Sequence, residues 1–243
     1  MELKKRYKVV FFDLGGTLRI ALNDEPYMRH ARRKMAEIAG TDMPYEDFYQ
    51  LVEDRYEPYR KWALGENKES GDEELWCKWL LPDYDHVHIA HACHELSFQY
   101  RQSKGRRVVV DGGVEVIRTL YQRGYRLGII SNLIGETEVP DWLEEDGLDK
   151  YFSSVVLSSV CHLRKPCAEI YRIAPRSWAW TWRTVYPWPT TSSGTCPVPL
   201  TLVWAAISSS ALLRKSTRWK SPAKSVPMLS SPNSRSCWIF CRL

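Results

Sequence analysis

Three short stretches hold side chains that could share one reaction. The first, Val9-Val10-Phe11-Phe12-Asp13-Leu14-Gly15-Gly16-Thr17-Leu18, offers a carboxylate and a hydroxyl. The second, Ile129-Ile130-Ser131-Asn132, offers a hydroxyl and an amide; the third, Arg164-Lys165-Pro166, offers an amine. A carboxylate nucleophile needs a cation and hydroxyl or amide donors to hold the anionic group it attacks. Thr17, Ser131 and Lys165 supply both kinds. Singly, an Asp, Ser or Lys in such a loop is more often merely solvated, so the case rests on their convergence.

The elements that would bring them together are readable from periodicity. Val9 to Phe12 is a short β-branched and aromatic run closed by turn residues, which predicts a buried strand with Asp13 at its carboxyl end. Gly15 and Gly16 allow a sharp turn there. Tyr125 to Ile130 predicts a second strand ending at Ser131-Asn132, and Val155 to Leu157 a third. Helices are predicted between them, at Gly113 to Arg123 and Val139 to Gly147, with another from Ala168 to Ala174. The lysine falls in a loop, His162 to Pro166, just before that last helix. Alternating strands and helices imply a parallel sheet with helices on both faces, whose strand tips share one edge.

After Leu18 the pattern is helical instead. Met28, Ala31, Met35 and Ile38 share one face, with a stop at Gly40. Phe48 to Trp62 continue after a start signal at Thr41 to Pro44. Asp72 is expected to cap a third helix bearing Leu75, Trp76, Trp79 and Leu80, and a fourth runs from about His86 to Gln102. No strand is expected in this region. The reading is an α/β fold, a Rossmann-like parallel sheet core with an inserted α-helical domain: core at 1–19, insertion at 20–105, core again at 106–174.

Taken together these stretches resemble the haloacid dehalogenase superfamily: Phe11 to Leu18 is similar to its first motif, Ile129 to Asn132 to its second and Arg164 to Pro166 to its third. The resemblance implies Asp13 as nucleophile, Ser131 and Asn132 with Thr17 as ligands of the transferred group, and Lys165 as its charge partner. The insertion would be a mobile cap that closes over substrate. Magnesium is the implied cofactor, held by Asp13 and the backbone carbonyl of Gly15. Two positions depart from the family pattern. Gly15 stands where phosphatases of the family carry a second Asp as general acid, a role that contributes about 10²–10⁴-fold. The fourth motif, an acidic pair that holds magnesium, is missing after the lysine. The substrate expected is a small phosphorylated molecule, acted on through an aspartyl-phosphate on Asp13. The alternatives are a 2-haloacid dehalogenase, or an inactive family member acting at most as a binding protein.

The 243 residues are 44% hydrophobic, enough for a real core, and carry a net charge of +5. That charge is unevenly spread, because all 29 acidic residues lie at or before Glu169. Residues 170–243 hold ten Lys and Arg and no acid, with seven of the eleven tryptophans and eight of the fourteen prolines. A basic, aromatic tail could bind nucleic acid if genuine; otherwise no nucleic acid partner is expected. The other reading is a slipped coding frame beginning near Ile173 to Pro175. Tryptophan has a single codon, so the codon straddling it and its successor is constrained. Trp178-Ala179 then gives Gly, Trp180-Thr181 gives Asp and Trp188-Pro189 gives Ala, while Pro189-Thr190 and Gly194-Thr195 permit the missing acids. Residues 175–243 are therefore expected to be an out-of-frame remainder of the core.

Seven cysteines without a CxxC pair suggest reduced thiols. With an apolar run of only Val9 to Phe12 near the start and no membrane-length segment, a cytoplasmic protein is expected. His86, His88, His91 and His94 crowd one helix but match no strong metal-ligand spacing, so a surface or cap–core contact is expected of them. Cys161 and Cys167, flanking the lysine loop, are expected to be structural, and Trp62, Trp76 and Trp79 to pack the insertion's core.

Overall fold

The structure is a computed structural model that describes residues 7–176, 203–205 and 238–242. Its first strand, β1 (Tyr7–Phe12), sits in a five-stranded sheet of order β5-β4-β1-β7-β6, with β4 at Arg126–Ser131, β5 at Phe152–Leu157, β6 at Val203–Ala205 and β7 at Trp238–Arg242. β1 pairs in parallel with β4, and β4 with β5, so Phe12 faces Ile129 and Ser131 faces Leu157 at one edge. Burial on both faces explains why Val9 to Phe12 are all apolar. Val10 and Phe12 pack with Ile117, Val139 and Leu143 of the helices α5 (Gly113–Gln122) and α6 (Glu138–Glu145) on one face. Val9 and Phe11 pack with Ile130 and Val156 and with Ile170 of α7 (Ala168–Arg176) on the other. A parallel sheet covered on both faces demands this double burial. Gly128 is required in β4, because a Cβ there would lie 2.5 Å from the Phe11 ring.

The sheet is not parallel throughout. β7 runs antiparallel to β1, and β6 antiparallel to β7. The side of β1 away from β4 offers backbone groups that an extended segment of either direction can pair with, and here β7 does so. The frame-slip reading of the tail falls mainly on residues outside those described.

Four helical segments follow β1. Helix α1 (Glu25–Ala39) is capped by Asp24, which accepts from the Tyr27 amide, and closed by Gly40 in the left-handed region. Then come α2 (Tyr45–Glu66), the single turn α3 (Asp72–Glu74) continuing as a π-helix over Leu75–Leu80, and α4 (His86–Gln102). They enclose a separate core of Met35, Phe48, Val52, Tyr59, Trp76 and Leu96, against which Trp62 and Trp79 pack as expected. Two corrections apply here. The insertion is not free of strands at its ends: β2 (Arg19–Leu22) and β3 (Arg106–Val109) pair antiparallel where the chain leaves and re-enters the sheet domain. Asp72 is not a cap either; Gly71 holds that place, and the Asp72 carboxylate is turned elsewhere.

Candidate active site

Asp13 leaves the carboxyl end of β1 and enters a tight turn. The Leu14 carbonyl accepts from the amides of Thr17, Leu18 and Arg19 at 3.0, 3.1 and 2.9 Å, with Gly16 at φ 72° completing the reversal. A side chain other than glycine resists that φ. Three donors converge on Asp13 Oδ1: the Leu14 amide at 2.8 Å, the Ser131 hydroxyl at 3.0 Å and the Lys165 ammonium at 3.0 Å. Among the described residues nothing donates to Oδ2. The carboxylate is thus oriented through one oxygen and leaves the other open, and its side chain is 20% exposed. An oxygen so placed can attack an electrophile without first giving up a hydrogen bond.

Lys165 is held from two sides. Its ammonium also donates to the Ile130 carbonyl at 2.9 Å, anchoring it to β4. Asn132 clamps its backbone, accepting from the Lys165 amide at 2.7 Å and donating to the Lys165 carbonyl at 2.9 Å. Asp13, Ser131, Asn132 and Lys165 therefore meet as the sequence suggests, but Asn132 spends its side chain on the lysine loop. Thr17 makes no hydrogen bond to them: its hydroxyl is buried and has no hydrogen-bond partner among the described residues.

Two carboxylates not assigned to the site from sequence are hydrogen-bonded to the loops around this cluster. Glu69, in the segment between α2 and α3, accepts from Tyr59, from Ser158 at 2.9 Å and from Arg164, the neighbour of Lys165. Burial pushes its carboxyl above the ordinary range, against the pull of Arg164. Asp72 accepts four bonds: Ser97 Oγ at 2.6 Å and the Gly135 amide at 3.1 Å on Oδ1, His94 Nδ1 at 2.9 Å and the Glu136 amide at 3.0 Å on Oδ2. The loop that follows Asn132 is thereby tied to the helical lobe. The near-total burial of Asp72, at 1% exposed, is hinted at by the apolar residues just after it.

The four histidines make separate hydrogen bonds. His86, His88 and His91 bond the carbonyls of Pro82, Ile38 and Val87, and His94 bonds the buried Asp72 carboxylate. Burial raises the Cys161 thiol, as suits a structural role. Magnesium takes oxygen ligands and keeps several waters, using one or two carboxylates. Asp13 and the Gly15 carbonyl are oxygens of the right kind, but among the described residues no three His, Cys, Asp or Glu side chains gather to hold a metal. The donors fit in kind and are few in number. A cavity of about 630 Å³ opens elsewhere, between α4, α6 and the β2–β3 pair, lined by Arg19, Tyr27, Phe98, Arg107 and Trp142 rather than by Asp13. No helix among the described residues is long and apolar enough to cross a membrane.

A carboxylate at a strand tip, braced by a hydroxyl from the next strand and a lysine from the loop beyond, on an α/β sheet with an inserted helical lobe, defines a class of hydrolase. The family of haloacid dehalogenase-like hydrolases matches residues 7–176, and the chain belongs to it. No curated protein matches it. Among solved structures, CbbY from Rhodobacter sphaeroides in complex with phosphate is 17% identical, with a TM-score of 0.43 over 72% of this chain and 73% of that one. YfnB of Bacillus subtilis, bound to magnesium, is 19% identical, with a TM-score of 0.42 over 70% and 73%. A dehalogenase with an intermediate complex is 18% identical, with a TM-score of 0.41 over 74% of each chain.

Proposed function

We propose that the protein is a phosphomonoester hydrolase working through an aspartyl-phosphate on Asp13, and the observation that carries this is the open Oδ2 beside a carboxylate otherwise fixed by Ser131 and Lys165. Oδ2 attacks phosphorus in line, the ester P–O bond breaks, and the alkoxide leaves with the bonding pair. Lys165 offsets the charge gathering on the phosphoryl oxygens, and the Ser131 hydroxyl lies within reach of them. Water then attacks the acyl phosphate, releasing inorganic phosphate and restoring Asp13. Asp13 and the Gly15 carbonyl are the residues that would hold magnesium, whose contribution when bound is to neutralise phosphoryl charge. Residues 20–105 are read as a cap over this edge.

A dehalogenase is the second reading, favoured by Gly15: a halide leaves without a proton, so the missing acid costs nothing. In that reaction Oδ2 displaces halide from C2 of a 2-haloacid, and water hydrolyses the ester. A panel of phosphate monoesters and 2-haloacids, with and without magnesium, separates the two. Asp13→Asn abolishes turnover in either case; phosphate release surviving in that variant overturns the assigned nucleophile.

Residues 175–243 are read as an out-of-frame remainder. The family match ends at residue 176 and no acid follows Glu169, which support this. Sequencing the gene in independent clones decides it, since an intact Trp-rich frame in all of them sinks the idea.

A further inference from the structure

Glu69 belongs to the helical lobe, yet its hydrogen bonds run to both loops that shape the site. Through Arg164 it reaches the residue next to Lys165. Through Ser158 Oγ, which accepts from the Leu133 amide at 2.9 Å, it reaches the residue next to Asn132. Asn132 in turn clamps the Lys165 backbone. These links close a ring: Lys165, Asn132, Leu133, Ser158, Glu69, Arg164 and back to Lys165. Five of its members come from the sheet domain, and Glu69 alone from the lobe. Its side chain is fully buried and that of Arg164 is 17% exposed, so water competes little for their bond.

The lobe segment around it is laid along the lysine loop like a strap. The Arg164 amide donates to the Asn67 carbonyl at 2.9 Å, Lys68 bridges Leu163 antiparallel, and the Glu69 amide donates to the His162 carbonyl at 3.3 Å. On the lobe side, Glu69 accepts from Tyr59, whose hydroxyl accepts from the Ser70 amide at 3.1 Å.

The geometry points to Glu69 as a positioning residue for Lys165: the seating of the lobe on the core, through this carboxylate, sets the ammonium against Asp13. This rests on the reading of Asp13 and Lys165 as the working pair. A lobe that lifts away takes the counter-ion of Arg164 with it and opens the ring at two bonds. The site is then assembled only when the lobe is down, which ties chemistry to closure.

The test uses the full chain and p-nitrophenyl phosphate, with inorganic phosphate as a competitive probe of binding. Glu69→Gln keeps the volume and removes the charge. A displacement on the ångström scale can cost about 10²-fold, and a loss in kcat of about that order is expected, with a weaker inhibition constant for phosphate. Tyr59→Phe removes a bond to the same carboxylate outside the ring. It is expected to lower the melting temperature at least as much while leaving kcat within about two-fold. Should Glu69→Gln fail to fold, Ser158→Ala opens the ring at its other bond and is expected to cut kcat several-fold.

The double variant Glu69→Gln/Lys165→Met distinguishes the levels of failure. If Glu69 acts through Lys165, the double variant is no worse than Lys165→Met alone. Lys165→Met retaining full activity overturns the reading of the site itself. Lys165→Met inactive while Glu69→Gln and Ser158→Ala stay at wild-type kcat overturns only the positioning role. Loss of kcat in Tyr59→Phe equal to that in Glu69→Gln overturns it too, because the effect then follows lobe stability.

Discussion

The two oxygens of Asp13 have been given different jobs, and the position two residues on decides which substrates can profit. Leu14, Ser131 and Lys165 fix Oδ1, while Oδ2 accepts no hydrogen bond from the described residues. With Gly15 in place of an acid, no side chain there hands the departing alkoxide a proton. The rate of ester cleavage should therefore depend steeply on leaving-group acidity, with aryl phosphates cleaved far faster than alkyl phosphates. Gly15 is exposed, has an ordinary φ, and a Cβ there meets no atom within 4 Å. Gly15→Asp is thus expected to fold normally and to raise turnover of alkyl phosphates by up to about 10²–10⁴-fold. Turnover of p-nitrophenyl phosphate should change little. Rates across a series of leaving groups measure this, and an unchanged slope would count against phosphate ester chemistry.

At the scale of elements, the π-helical turn shows how packing and polar contacts are joined. Leu75, Trp76 and Leu80 are buried in the lobe core, while the Trp76 indole donates to Ser97, which donates to Asp72. Wide turns of this sort tend to sit near functional parts of a fold, and here the turn directly follows the residue that grips the loop after Asn132. The hydrogen bond to Asp72 raises the His94 imidazole above its usual value of 6.5. A raised imidazole contributes its full stabilisation below the unfolded value, and that contribution fades as pH climbs through the folded one. Between about pH 6 and 8, the melting temperature of His94→Gln should therefore fall less steeply than that of the wild type. Phe48, fully buried in the same core, is expected to cost about 3–5 kcal/mol when cut to alanine, measured by urea unfolding.

Across the whole molecule the lobe is fixed to the core at two separate places. One is the strap at Glu69 and Asp72. The other is Glu138 of α6, which pairs with Arg19 in β2 at 2.9 Å and with Arg101 in α4. Burial opposes its charge, yet Arg101, Arg19 and Arg107 hold the carboxyl below its ordinary range. A depressed carboxyl contributes stability above the unfolded value of 4.5, and loses it as pH falls through the folded one. Glu138→Gln leaves buried guanidiniums without their counter-ion and is expected to cost about 3–5 kcal/mol, with a flatter acid limb of the unfolding profile. Strands β1, β4 and β5, their flanking helices and the edge where Asp13, Ser131, Asn132 and Lys165 lie were legible because strand periodicity and turn residues are local signals. β2 and β3 were not, since Arg19-Ile20-Ala21-Leu22 lacks alternation and becomes a strand only by finding Arg106–Val109. Glu69 and Asp72 were invisible for the same reason: their partners lie 95 and 64 residues away in Arg164 and Glu136.

The ring through Glu69 bears on how such a fold can be rebuilt. An insertion leaving through residues 19–22 and returning through 106–109 looks like a cassette, to be exchanged between hydrolases to alter what they accept. In this chain the cassette carries off one corner of the ring. A chimera would keep Asp13 and Lys165 in sequence while stripping Arg164 of the carboxylate that faces it. New specificity is therefore open to the solvent-facing positions of α1 and α4, whereas residues 67–72 have to travel with the core they grip.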